Sequence, residues 1–104
     1  MTPEHRVMNE VRLAMGEAGW LCFRCNVGTW ETKDGAFVST GLPRGFPDLI
    51  AFGPEARCVL IECKAPKGRL RPDQISFKRA IEALGFEYVV ARSAADVAHL
   101  MRPF

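Results

Sequence analysis

Asp48, Glu62 and Lys64 are ionisable residues set in or beside two apolar runs, "FPDLIAF" and "CVLIECK". Both runs read as strands, and a buried strand carries a charge only at a cost unless something compensates it. Side chains alternate along an extended chain. Glu62 and Lys64 therefore share one face, while Val59, Ile61 and Cys63 share the other. Asp48 heads its own strand fourteen positions before Glu62, a separation that suits two neighbouring strands with a short connection. Paired in that way, the two carboxylates would converge and repel one another. A divalent cation relieves such repulsion: magnesium commonly takes one or two protein carboxylates and completes its shell with water and phosphate oxygens. Lys64 beside them could hold or polarise an attacking water, or steady the charge growing on a phosphate. The chemistry this trio suits is hydrolysis of a phosphodiester. Taken singly, an Asp after Pro is most often a turn residue, and an E-x-K strand most often carries a surface ion pair. Their joint placement carries the reading.

Two further polar residues sit where apolar ones are expected. Glu10 lies three residues after Val7 and four before Ala14, within the apolar stripe of a first helix, where a carboxylate is costly unless paired or metal-bound. Gln74 falls early in a second helix, on or beside its buried side, where it could hold a water or a phosphate oxygen; helix capping is the plainer role. The segment "KAPKGRLRPDQISFKR" holds six basic residues against the single acid Asp73. Lys67, Arg69, Arg71 and Lys78, with Arg44 upstream, are candidate contacts for a polyanion such as a nucleic-acid backbone, although a solvated loop and helix face would also account for them.

The elements that must position these groups follow from periodicity and punctuation. Thr2 and Pro3 start a helix whose apolar stripe is Val7, Val11, Ala14, Met15 and Ala18, and Gly19 stops it. "WLCFRC" reads as a strand. Asp34-Gly35 between "TWETK" and "AFVST" signals a hairpin. "FPDLIAF" is a strand closed by Gly53-Pro54, and "CVLIECK" is apolar enough for the middle of a sheet. A helix runs from Pro72 to about Leu84, with Ile75, Phe77, Ala80, Ile81 and Leu84 as its buried side. The strand "FEYVVA" and a last helix "AADVAHLM", opened by an imperfect capping box from Ser93 and Asp96, complete the chain. A strand–helix–strand unit near the end favours a parallel pair with a right-handed crossover. The expected fold is α/β, a mixed central β-sheet flanked by helices.

At 104 residues the chain is read as one domain, 1–104, with 48% hydrophobic and 25% charged residues and a net charge of +2. No apolar stretch approaches the roughly 20 residues of a membrane helix. The N-terminus is too polar for a signal peptide, so a cytoplasmic location in a bacterial or phage-infected host cell is expected. Four cysteines raise a zinc hypothesis, but Cys22 and Cys25 lie in an apolar strand rather than a turn, and Cys58 and Cys63 face opposite sides of theirs. They read as free core thiols.

The pattern "GFPDLIAF…VLIECKAPKGRLRPDQISF" resembles the PD-(D/E)-x-K nuclease superfamily, and within it the virus-type replication-repair nuclease (VRR-NUC) family. The likeness rests on an acid in the N-terminal helix (Glu10), on Gly45, Pro47 and Asp48, on Glu62 and Lys64, and on Gly68-Arg69-Leu70 leading to Gln74. It extends to the closing strand and helix. The resemblance implies a restriction-endonuclease-like fold and a Mg²⁺- or Mn²⁺-dependent DNA endonuclease. It implies Asp48 and Glu62 as metal ligands, Glu10 as a direct or water-mediated one, Lys64 as the catalytic lysine and Gln74 as a supporting residue. It further implies a homodimer acting in DNA repair on branched DNA such as four-way (Holliday) junctions. Arg71 departs from the pattern, standing where a Ser or Thr helix cap is expected. Gly28–Arg44 matches no motif. A sequence-specific restriction-like nuclease, a non-catalytic nucleic-acid-binding module of the same fold and a zinc-stabilised interaction domain are the alternatives.

Overall fold

The computed structural model describes residues 1–101. Helix α1 spans Pro3–Glu17, and the Thr2 hydroxyl caps it by accepting the His5 N–H at 3.1 Å. Val7, Met8, Val11 and Met15 form its buried stripe. Gly19, at φ +86°, turns the chain out of the helix. The strands are β1 (Leu21–Arg24), β2 (Thr29–Glu31), β3 (Phe37–Ser39), β4 (Leu49–Phe52), β5 (Cys58–Cys63) and β6 (Glu87–Ala91). Helix α2 spans Pro72–Ala83, and a 3₁₀ segment spans Ala94–Met101.

Four strands form one mixed sheet in the order β1-β4-β5-β6. The pairs β1/β4 and β4/β5 are antiparallel; β5/β6 is parallel, with α2 in the crossover between them. The strand read as central is central, and the parallel pair is the one expected. Strands β2 and β3 pair only with each other, as the hairpin signalled by Asp34-Gly35. The core lies on one face of the sheet. There Leu49, Ala51, Val59, Ile61 and Cys63 meet the α1 stripe and, from the 3₁₀ segment, Val97 and Leu100. Glu62 and Lys64 alternate away from this core, as the period of two requires.

Two expectations are corrected. The apolar side of α2 is not a buried side: Ile75, Ala80 and Leu84 are exposed, Phe77 and Ile81 are half-buried, and only Gln74 is buried. This helix packs on β6, an edge strand, so only a narrow strip of it meets the sheet. The closing element winds as 3₁₀ turns, not as an α-helix. Its Asp96 carboxylate accepts the Arg92 N–H at 2.8 Å, while Ser93 supplies only a backbone carbonyl to Asp96.

Candidate active site

The register of β4 and β5 pairs Leu49 with Ile61. One step further along the same antiparallel ladder, Asp48 stands opposite Glu62. The neighbourhood is tied down by backbone groups: Cys25 donates its N–H to the Asp48 carbonyl at 2.7 Å, and the Asp48 carboxylate accepts the Cys63 N–H at 2.8 Å. Glu62 is 2% exposed. Its Oε1 accepts from Gln74 Nε2 at 3.2 Å and lies 3.8 Å from Lys64 Nζ. Its Oε2 is buried with no hydrogen-bond partner among the described residues.

The third carboxylate in this place is Glu4. Oxygen atoms of Glu4, Asp48 and Glu62 lie within 4.8 Å of one another, and this is the one such convergent group among the described residues. Glu10 is exposed and does not join it. Six residues further along an α-helix is about 9 Å of rise and roughly 240° of rotation, so Glu10 leaves on another side of α1. The signal for Glu4 was present in the sequence. It precedes Val7 by three and Met8 by four, so it heads the stripe that is actually buried. Ala14, beside which Glu10 would fall, is not part of the buried stripe.

Gln74 does two things. Its Oε1 accepts the Arg71 N–H at 2.9 Å, closing the start of α2 where Arg71 offers no side-chain cap. Its Nε2 holds Glu62. The helix end that carries it is seated against the Gly45 turn. At φ +88° Gly45 adopts a backbone that favours glycine, and a Cβ there would run into the Asp73 carbonyl. Phe46 adds an edge-on contact with Phe77, with ring centroids 5.1 Å apart. The glycine of "GFPD" thus docks α2, and α2 aims Gln74 at Glu62.

Glu62 is displaced electrostatically. Burial, then the neighbouring Asp48, push its carboxyl up to about 8, against a partial offset from Lys64. Burial and the same carboxylates raise the Tyr88 hydroxyl, which is buried without a partner among the described residues. Burial and Asp48 raise the Cys25 thiol. Burial is the largest cause of each shift, and the gathered carboxylates, which Lys64 only partly offsets at Glu62, add to it. Three carboxylates and an unpartnered buried oxygen form an all-oxygen donor set that fits a hard divalent cation. The cysteines are free, and none belongs to a convergent group of this kind among the described residues.

An open cleft of about 450 Å³ lies over this cluster, walled by Glu4, Asp48, Glu62, Gln74 and the Val27–Gly28 backbone region. Arg44 and Arg71 line it, as does Arg24, which the sequence did not single out. Both Arg44 and Arg71 lean on Asp73, at 3.7 and 3.4 Å. Lys67, Arg69 and Lys78 lie outside the cleft lining. Lys78 is engaged with Glu82 at 2.9 Å and sits over the Tyr88 ring.

Comparison with known proteins gives the family and the fold. Residues 31–95 match the family model described as "VRR-NUC domain". A solved structure described as a VRR_NUC domain superposes with a TM-score of 0.71 over 97% of this chain and 96% of its own. At 22% identity, that likeness speaks for the fold. A protein of Acyrthosiphon pisum secondary endosymbiont phage 1, named "Putative nuclease p44", is 37% identical over 57 residues. The match covers 55% of this chain and 60% of that protein, so the chain spans about three fifths of its relative's length.

Proposed function

The chain belongs to the VRR-NUC family, and on that premise we propose that it is a nuclease: a divalent-metal-dependent endonuclease that hydrolyses phosphodiester bonds in DNA, with residues 1–104 acting as one catalytic domain. The observation that carries the reading is Glu62. A buried carboxyl pushed up to about 8 and facing two more carboxylates either keeps its proton or takes a cation, and the convergent oxygen donors of Glu4, Asp48 and Glu62 suit the cation.

In this reading Asp48, Glu62 and Glu4 hold Mg²⁺ or Mn²⁺. The cation, when bound, neutralises phosphate charge and acidifies a water. Gln74 keeps Glu62 in its orientation. The Lys64 ammonium, 3.8 Å from Glu62, stabilises negative charge on the phosphate and orients the water that attacks phosphorus. A P–O bond breaks and the leaving oxygen takes up a proton. Arg24, Arg44 and Arg71 clamp flanking phosphates along the cleft. Selectivity for branched DNA and a homodimer, whose twofold would present two sites to one junction, belong to the same proposal.

A cleavage assay tests it. Labelled four-way junction, splayed arm, single strand and linear duplex are incubated with Mg²⁺, Mn²⁺ or EDTA. Metal-dependent cutting is expected, with Glu62→Ala slower by about a thousandfold or more, the scale of losing a main electrostatic stabiliser. Cutting in EDTA, or full activity of the variant, would sink the mechanism. A sequence preference that overrides branching would point to a restriction-like enzyme.

A further inference from the structure

The hairpin Thr29–Ser39 is unexplained by the catalytic reading. None of its strand residues is buried, yet Trp30 is 54% exposed, Phe37 75% and Val38 38%, with Val27 at its base 42% exposed. Apolar surface left in water contributes nothing to the fold, and isolated two-stranded hairpins are marginal in water. This one is nevertheless closed at both ends. Thr40 donates its N–H to the Gly28 carbonyl at 3.1 Å, and Thr32 bonds the Ala36 carbonyl at 2.7 Å. At its tip Gly35, at φ +80°, makes the turn. The register pairs Trp30 with Val38 on one face of the ribbon and puts Phe37, opposite Glu31, on the other. A narrow ribbon therefore presents an aromatic ring on each side.

The hairpin rises from the edge of the cleft. Val27 and Gly28 form the base of the hairpin and are part of the cleft wall with Asp48, Glu62 and the three arginines. Trp30 follows Gly28 by two residues, about 7 Å of extended chain. An exposed aromatic ring beside a basic groove is the combination that captures single strands: the groove tracks the backbone and the ring stacks on a base of any type. A second copy of the chain suits the ribbon less well, because strands of three residues offer far less than the roughly 800 Å² per partner of a stable interface.

We propose that the β2–β3 hairpin is a stacking platform for unpaired nucleobases, through Trp30 and Phe37, and that it directs the cleft to DNA with a single-stranded stretch beside the bond to be cut. This rests on the nuclease reading for its substrate, but not for its test. The chain has two tryptophans, and Trp20 is only 4% exposed, so fluorescence quenching reports mainly on Trp30. The full chain is titrated, with Ca²⁺ in place of Mg²⁺, with a dT oligonucleotide, a dT-tailed duplex and the same duplex blunt-ended. Quenching is expected with the first two and not with the third. Trp30→Ala should weaken binding of the tailed duplex roughly tenfold, the scale of one base–aromatic stack, and leave the blunt duplex within about twofold. Phe37→Ala should act in the same sense, and Trp30→Phe should restore most of the loss. Equal weakening on tailed and blunt duplex, absence of quenching by single strand, or conversion of a dimer to a monomer by Trp30→Ala in light scattering would each overturn the proposal; the last would make the ribbon an interface between copies. Thermal melting by circular dichroism checks that the variants fold. Failure of the nuclease reading would appear separately, as absence of cutting in Mg²⁺ or Mn²⁺ by a protein that still binds.

Discussion

Val59, Ile61 and Cys63 on one face of β5, and Leu60, Glu62 and Lys64 on the other, are buried to nearly the same degree: 0% exposure for each of the first three, and 4%, 2% and 7% for the second. The first face is apolar and meets α1 and the 3₁₀ segment. Its burial drives folding. The second face is equally dry at the strand's end but carries an acid and a base, with a carboxylate oxygen left over. Its burial opposes folding and raises the free energy of an ionised group until a counter-charge arrives. One strand thus holds a stabilising face and a charged, costly one. The molecule can carry the second because the first is complete.

The comparison can be broken at its stable side first. Ile61→Ala removes a fully buried side chain from the closed core and should cost about 3 kcal/mol in denaturant unfolding. A loss below about 1 kcal/mol would mean that this face is not the packed one.

The charged side should behave in the opposite way. The folded-state value of Glu62, about 8, lies above its ordinary 4.5. Its contribution to stability is therefore fully present below about pH 4.5 and lost as pH rises through about 8. In EDTA the wild type should lose stability between pH 5 and pH 9. Glu62→Gln should flatten that slope and be the more stable of the two proteins at pH 9. Added Mg²⁺ should stabilise the wild type more at pH 9 than at pH 6, and the variant little at either. Parallel melting curves for the two proteins across this range would remove the electrostatic account.

The smallest effect separates two acids on one helix. Glu4→Gln should slow cleavage about tenfold, on the scale of one supporting charge in the site. Glu10→Gln should leave the rate within about twofold, since Glu10 is exposed and outside the carboxylate group. The reverse order would return the helical ligand to Glu10.

Strand identity, the central place of β5, the parallel partner β6 and the facing of Asp48 toward Glu62 were all legible in the sequence. They follow from a period of two and from glycine and proline punctuation, which are properties of the chain within a few residues. The hairpin was legible for the same reason. Which acid of α1 comes to lie beside Asp48 and Glu62 was not: placing Glu4 there rather than Glu10 requires knowing which residues of α1 meet the sheet, and the stripe Val7, Met8, Val11, Met15 is fixed only by what packs on it. The exposure of Ile75, Ala80 and Leu84 was hidden likewise, because an apolar side of a helix is buried only where a neighbour is wide enough to cover it. Local geometry is written in the residue order. The convergence of α1, the β4–β5 ends and the start of α2 on one cleft was decided by tertiary packing, since side chains distant in sequence acquire a common environment only when the core beneath them closes.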